Sequence, residues 1–177
     1  MDRITFSVQM KKQHIFRFNL YHAYSGFSGK FGVLLSVCAW IMLIYDFENL
    51  TDQSKTVLTV LGAWFILFYP LILHARAGAQ AKRNESLKDG FTYVLDSEGI
   101  TVSQGEASQN IRWNAVQKIV ETRTQYFVYT SSIHAFIFPK ENIGVSAEEF
   151  DKEVCGWIRE EKIRLKGAIK RSRYQSH

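Results

Sequence analysis

Two long apolar runs in the first half of the chain dominate its hydropathy pattern. They cover residues 31–45 and 57–73, contain no Asp, Glu, Lys, Arg or His, and are separated by the acidic segment DFENLTDQSKT. A helix that packs on a soluble core has one apolar stripe and one polar face, whereas these runs are apolar all round. We predict a transmembrane hairpin over residues 29–75, with spans at about 29–46 and 56–75.

The length of the runs leaves an alternative open, and the flanking charges favour the membrane. Each run is at or below the lower limit for crossing a bilayer, so a buried hairpin of a soluble protein remains a competing interpretation. Basic residues, however, concentrate before the first run and directly after the second, where Arg76, Lys82 and Arg83 follow. The positive-inside rule then places both termini in the cytoplasm of a multi-pass protein of the inner (cytoplasmic) membrane.

The segment 1–28 is predicted to contain a strand and an amphipathic helix. Residues 4–9 alternate between apolar and polar positions, which is typical of a half-buried strand. Such a short strand is not stable alone, so we expect it to join a sheet formed elsewhere in the chain. Phe16, Leu20 and Tyr24 recur every four residues and indicate a helix, which either lies on an anionic membrane surface or packs against the first span.

The second half of the chain predicts an α+β domain over residues 91–170. Residues 76–90 are polar and indicate either an extension of the second span or a linker helix. Six short segments separated by turns then predict an antiparallel β meander of the pleckstrin-homology-like type. Ser146 and Glu149 form a capping box, and an apolar face follows that consists of Phe150, Val154, Trp157, Ile158 and Leu165. A C-terminal amphipathic helix is therefore expected to cap the sheet, with a basic tail at 171–177.

Several of these segments resemble one known family. They are the Tyr93 strand, the turn at Glu98-Gly99-Ile100, Trp113 in the sequence IRW, the Val120-Glu121 strand and Phe138-Pro139-Lys140. The chain is similar in these segments, and in its order of elements, to the YcxB-like family of small bacterial membrane proteins. The resemblance implies a two-helix membrane hairpin with a pleckstrin-homology-like cytoplasmic domain, and it implies no particular activity.

The residues that usually carry catalysis or bind metals form no recognisable motif in this sequence. Cys38 and Cys155 are far apart, no Cys/His cluster occurs, and no nucleophile motif or dinucleotide-binding loop is present. We therefore expect no enzymatic activity, no cofactor and no metal. The formal charge is +5, but charges after residue 75 are nearly balanced, which does not indicate a nucleic-acid partner. Trp113 is expected in the core, and Lys140 is expected to be a solvated strand end or, as the less favoured alternative, a phosphate donor.

Two groups of residues remain as candidate contact sites. Clustered cations near a bilayer attract anionic lipid, and the candidates are Lys162, Arg164, Lys166, Lys170, Arg171 and Arg173. Their alternative role is to solvate a helix end. Trp40 and Trp64 lie in the middle of the apolar runs and are candidates for helix–helix contacts.

The sequence predicts a non-enzymatic membrane protein whose cytoplasmic domain binds a protein partner or anionic lipid headgroups. Expected partners are the lipid bilayer and either another protein or a second copy of the chain. The alternative is an accessory subunit that docks into a larger membrane complex through its hairpin. A lipid-acting enzyme is the third hypothesis, for which no catalytic constellation is present.

Overall fold

The chain forms two compact units, and the predicted α+β class is confirmed. A computed structural model describes residues 3–83, 89–159 and 162–164. One unit is Ile15–Arg83, called here the helical unit; the other is Met1–His14 together with Asn84–His177, called the sheet unit. The division at His14 lies inside segment 1–28, because the N-terminal strand belongs to the sheet unit while most of the following helix belongs to the helical unit.

The helical unit contains α1 (Lys12–Ser25), of which the first residues belong to the sheet unit, then α2 (Phe27–Tyr45), α3 (Asp52–Ala63) and α4 (Tyr69–Arg83). Thr51 caps α3 by accepting a hydrogen bond from the Ser54 N–H. A π-helical turn, Trp64–Phe68, joins α3 to α4, so the helix is continuous from Asp52 to Arg83. The segment predicted as a linker helix, 76–90, therefore continues the second long helix as far as Arg83, and residues 84–88 lie outside the described residues.

Small side chains allow α2 to pack closely against the second long helix. The buried positions of α2 follow one face: Gly29, Gly32, Ser36, Ala39 and Leu43. A Cβ atom built on Gly32 would clash with the Phe65 ring, so any larger residue there requires that ring to move. The Ser36 hydroxyl donates to the Leu61 carbonyl at 3.0 Å. Close backbone approach at small residues, with a hydroxyl bonded across the interface, is typical of helix pairs in membranes.

Both long helices are long and apolar enough to span a membrane. The most apolar window of each helix is largely exposed: 28% of the window is buried in Phe27–Tyr45, and 11% in Asp52–Arg83. Among the described residues, nearly all exposed large apolar side chains lie between Phe27 and Leu71. A core helix of a soluble protein would instead be mostly buried. The competing interpretation, a buried soluble hairpin, is therefore not favoured by the burial of these helices.

The sheet unit contains two four-stranded sheets. Sheet A consists of β1 (Arg3–Val8), β2 (Phe91–Asp96), β3 (Gly99–Gln104) and β4 (Ala107–Arg112), neighbouring one another in that order. Sheet B has the order β7-β6-β5-β8, with β5 (Lys118–Glu121), β6 (Gln125–Tyr129), β7 (Ala135–Pro139) and β8 (Ile163–Arg164). The expectation that the N-terminal strand joins a distant sheet is confirmed, because all six residues of β1 pair with β2.

The C-terminal helix is shorter than predicted. Helix α5 (Ala147–Trp157) begins at the predicted cap, where Ser146 accepts from the Glu149 N–H, but Ile158 is already extended at φ −125° and ψ 151°. Ile163 and Arg164 form β8, which pairs in parallel with β5, so the prediction of a helix through Leu165 and of only antiparallel pairs was wrong. The open edge of β5 gives this segment backbone partners that a solvated helix end lacks.

Candidate functional site

A cluster of charged and polar side chains lies where β7 ends. The Lys140 ammonium forms an ion pair with Glu121, whose side chain is only 8% exposed, and lies 4.8 Å from the centre of the Tyr126 ring. The Tyr126 hydroxyl donates to Asp151 Oδ1 at 3.0 Å. The register between β5 and β6 places Glu121 directly opposite Tyr126, and Asp151 extends to Tyr126 from α5. The cluster therefore joins two strands, a turn and a helix.

Burial keeps the tyrosines of this region neutral. Desolvation raises the pKa of Tyr126, and the nearby carboxylates of Asp151 and Glu121 raise it further. Desolvation also raises the pKa of Tyr93, on the same core, to about 12. Tyr126 therefore acts as a hydrogen-bond donor to Asp151 at any physiological pH.

These shifts predict that the sheet unit loses stability in alkali. Above pH about 10 the unfolded chain releases its tyrosine protons while the folded chain keeps those of Tyr93 and Tyr126, so the unfolded state binds fewer protons. The free energy of unfolding is then expected to fall as pH rises from about 10. Urea unfolding between pH 8 and 11.5 measures this slope. Tyr126→Phe should flatten it and Tyr45→Phe, at an exposed position, should not; equal slopes in both variants would contradict the prediction.

A second group of charges surrounds the residue next to Lys140. Glu141 Oε1 lies 3.5 Å from the Lys11 ammonium and 3.4 Å from Nε2 of His14, a side chain that is almost fully buried. His14 Nδ1 accepts a hydrogen bond from the Lys11 backbone N–H at 3.3 Å, so in the neutral ring the proton lies on Nε2, facing Glu141. The short helical turn Lys140–Asn142 thus binds sheet B on one side and the segment leading into α1 on the other.

This arrangement links separate segments of the chain through paired charged and polar side chains. Each carboxylate named above has a cation or a hydroxyl donor against it. Among the described residues, no three His, Cys, Asp or Glu side chains come together in a way that could hold a metal. Sequence patterns do not reveal the cluster because its members are separated by up to 30 residues between Glu121 and Asp151, and only the strand register makes them neighbours. Lys140 is not simply a solvated strand end, because it pairs with Glu121; binding of a phosphate by Lys140 stays a prediction.

The structure describes only two of the six cationic residues that were predicted to contact lipid. The Lys162 ammonium donates to the carbonyls of Val116 at 2.8 Å and Asn114 at 3.2 Å, so it ties the segment before β8 to the loop before β5. Arg164 belongs to β8. The other four candidates, Lys166, Lys170, Arg171 and Arg173, lie outside the described residues. Lys162 is thus engaged in the fold, and contact of the remaining cations with lipid stays a prediction.

The two indoles of the hairpin have different surroundings. Trp40 lies over Gly62 of α3, where an added Cβ would come within 2.6 Å of the indole nitrogen. Trp64 lies beside Phe68 of its own helix, with ring centres 6.1 Å apart at a tilted angle, and is 44% exposed. Trp40 thus contacts the opposing helix within the chain, whereas Trp64 faces outward. Trp113, as expected, is a core residue whose Nε1 donates to the Asp96 carbonyl at 2.7 Å.

Tyr24 completes the backbone hydrogen bonding of the second long helix at its π-helical turn. In this turn the Tyr69 N–H donates five residues back, to the Trp64 carbonyl. The corresponding donor for the Phe65 carbonyl would be residue 70, which is proline and has no N–H. The Tyr24 hydroxyl of α1 donates to this carbonyl. An unpaired carbonyl in an apolar setting is costly, so this side chain compensates for the proline.

Removing the Tyr24 hydroxyl should therefore matter only while Pro70 is present. Tyr24→Phe is expected to destabilise the helical unit by about 1–3 kcal/mol, the usual cost of a buried acceptor left without a donor. In a Pro70→Ala background the backbone regains an N–H, and the same change should cost less than about 0.5 kcal/mol. Thermal unfolding of the four proteins in detergent gives the coupling energy. Equal costs of Tyr24→Phe in both backgrounds would rule out the compensation.

Part of this chain is similar in sequence to known proteins. Residues 95–152 match the family model described as YcxB-like protein. This chain carries a YcxB-like domain. It is also 27% identical over 140 residues to a Bacillus subtilis (strain 168) protein named Uncharacterized protein YcxB, an alignment that covers 78% of this chain and 72% of the relative. The family resemblance expected from the sequence is confirmed.

The matched region contains the whole polar cluster but only part of the second group of charges. Glu121, Tyr126, Lys140 and Asp151 all lie inside the YcxB-like domain, together with Glu141, while Lys11 and His14 precede it. The alignment with the Bacillus subtilis protein is longer than the part of the chain that follows the helical unit, so it also reaches into the helices. The similarity to this relative therefore includes more than the YcxB-like domain alone.

Proposed function

We propose that this protein is a two-span membrane protein with both termini in the cytoplasm, whose YcxB-like domain is a non-enzymatic binding module held at the membrane surface. The observation that carries the proposal is the place of the hairpin in the chain. The hairpin is inserted between β1 and β2, whose ends Val8 and Phe91 lie directly opposite each other. Two neighbouring strands of one sheet thus connect the sheet unit to the helical unit through the chain at both ends of the hairpin.

The exposed apolar surface and the sorted charges support the membrane location and its orientation. Side chains such as Leu34, Ile44 and Leu67 are more than half exposed in a region without charged residues, a surface that hydrocarbon solvates and water does not. Basic residues flank the hairpin on the side of the termini, and Asp46, Glu48 and Asp52 lie in the connecting loop. This is the charge distribution of a hairpin whose loop is outside the cytoplasm.

Cysteine accessibility in intact cells tests this topology. In a background in which Cys38 and Cys155 are replaced by serine, Glu48→Cys in the loop should react with a membrane-impermeant maleimide. Ser97→Cys, in the exposed turn after β2, should react only after the cells are permeabilised. The two positions are matched in exposure, so their reactivity should differ only by compartment. Labelling of Ser97→Cys in intact cells would overturn the orientation.

A fragment that contains the complete sheet unit tests whether the domain binds lipid headgroups or a protein partner. Residues 90–177 alone lack β1, so the binding fragment should join residues 1–10 to residues 89–177 through a short turn, which the pairing of Val8 with Phe91 allows. Headgroup binding predicts that this fragment floats with vesicles containing anionic phosphatidylserine at low salt and is released at high salt. If the fragment does not float with these vesicles, a protein partner remains as the ligand class.

A second candidate function, docking of the hairpin into a larger membrane complex, is supported by the surface around Trp64. The outward face of this helix forms an open apolar groove lined by Thr56, Val57, Val60, Leu61, Trp64 and Phe65. Trp64 has no hydrogen-bond partner for its indole N–H among the described residues, and a partner helix could supply an acceptor. Photocrosslinking from position 64 in membranes distinguishes a protein neighbour from lipid alone.

A further inference from the structure

Strand β4 is an edge strand that, among the described residues, lacks the features that normally protect one. All its residues except the half-buried Ile111 are exposed, and its six residues pair with β3 without a bulge. Natural sheets usually block such an edge with lysines, proline, a bulge or a covering segment. Ala107–Arg112 contains no lysine or proline, and its one charged residue, Arg112, is at its end.

The sequence around this edge is complementary to itself in one antiparallel register. In a continuous sheet, residues directly opposite each other must lie on the same face, so a two-fold axis has to pass through a residue of the strand. With the axis at Gln109, Ala107 of one copy lies opposite Ile111 of the other, and Glu106, in the turn directly before β4, comes next to Arg112 of the other copy. Ser108 then lies opposite Asn110, so that polar groups meet on the outer face.

The neighbouring register is much poorer, which makes the match specific. With the axis at Asn110, Arg112 would lie opposite Ser108, and Ile111 opposite Gln109, so neither the charges nor the apolar side chains would meet. In the first register the charged pair occurs twice because of the symmetry. Glu106 and Arg112 are both exposed, and neither forms an ion pair with any residue of the described part of the chain.

We propose that β4 pairs with β4 of a second copy of this chain, antiparallel and with Gln109 on the two-fold axis, to join two A sheets into one eight-stranded sheet. The contact area of one strand edge is small, so this is a weak association in dilute solution. If the chain is confined to a membrane, as proposed above, the local concentration of copies favours pairing. The strand register itself does not depend on the membrane.

Disulfide trapping with the full chain in its membrane tests the pairing and its register. In a Cys38→Ser, Cys155→Ser background, Gln109→Cys faces itself across the axis at a Cα separation of about 4.5–5.5 Å and should give a disulfide-linked dimer as the main product under mild oxidation. Ser103→Cys on β3 is the control and should give little dimer. Ser108→Cys and Asn110→Cys should cross-link efficiently only when the two variants are expressed together.

Charge reversal provides a readout that does not depend on cysteines. In the Glu106→Arg dimer, each of the two charged pairs becomes a pair of arginines. Their repulsion should weaken dimerisation about tenfold. The double variant Glu106→Arg/Arg112→Glu restores opposite charges across the axis and should recover the dimer fraction of the parent in nanodiscs or detergent. Its thermal unfolding should match that of the parent, because both side chains are exposed.

Two results would overturn the proposal. One is a Gln109→Cys protein that folds normally but cross-links no better than Ser103→Cys. The other is a Gln109→Cys product that contains a different protein, which would show that the edge binds an extended segment of another partner.

Discussion

Phe6→Ala should lower the free energy of unfolding of the sheet unit by about 3–5 kcal/mol, although it lies before the helical unit and far from the YcxB-like domain in sequence. The Phe6 ring is 5% exposed. It stacks on Tyr93 with ring centres 5.6 Å apart and meets the edge of Phe138 at 5.1 Å. Truncation leaves a cavity between sheet A and sheet B that neither sheet can close, because both are fixed by their ladders.

Urea unfolding followed by tryptophan fluorescence measures this loss. A background with Trp40→Phe and Trp64→Phe leaves Trp113 and Trp157, which stack at 6.0 Å in the sheet unit, as the only reporters. Thr5→Ala, at the exposed neighbouring position of β1, is the matched control and should change the stability by less than about 0.5 kcal/mol. A Phe6→Ala protein with the parent's midpoint would mean that β1 does not contribute to the core.

Lys140→Met should lower the free energy of unfolding of the sheet unit by about 2–4 kcal/mol. It removes the Lys140 ammonium from the Glu121 carboxylate, which is 8% exposed, and loss of one partner of a buried charge is strongly destabilising. The expected cost is below that of a fully buried pair because the Lys140 side chain is 24% exposed, so water already screens the pair in part. The same unfolding experiment measures the loss.

The double variant separates loss of the pair from loss of packing. Lys140→Met/Glu121→Leu replaces both charges by apolar groups and should recover most of the stability that Lys140→Met loses. Lys118→Met is the control for removing a lysine near an aromatic ring, since Lys118 lies 4.4 Å from the centre of the Tyr129 ring and forms no ion pair with a carboxylate of the described residues. If Glu121→Leu gives no recovery, the ion pair is not the source of the cost.

Turn chemistry and strand register explain which parts of the fold could be predicted. The strands from Phe91 to Pro139 are each bounded by local signals, such as Asp96, whose carboxylate accepts from the Glu98 and Gly99 N–H groups. The cap of α5 at Ser146 is equally local. The end of α5 has no such local signal, because Ile158 and Leu165 fit a helical stripe. The backbone nevertheless leaves the helix, and Ile163 pairs with Ile119 on the free edge of β5, more than 40 residues away.

The candidate cluster was not predictable for the same reason. Tyr126 in a strand and Asp151 in a helix carry no individual sign of their contact, which arises only when α5 packs on sheet B. Lys140, directly after Pro139, has the sequence context of a solvated strand end, and only the register between β5 and β6 brings Glu121 within its reach. The Tyr24 hydrogen bond depends likewise on α1 lying beside the π-helical turn.

The sequence by itself determined the two apolar helices, the charge distribution around them, the strand order after residue 90, the start of the last helix and the family resemblance. Each of these depends on periodicity, composition or a cap, which are local properties. Only the tertiary structure decided that β1 closes sheet A across the inserted hairpin, that β8 extends sheet B, that Lys162 binds backbone carbonyls, and that β4 remains an open edge. These depend on which distant segments become neighbours, and the burial and hydrogen bonding of the whole chain select those neighbours.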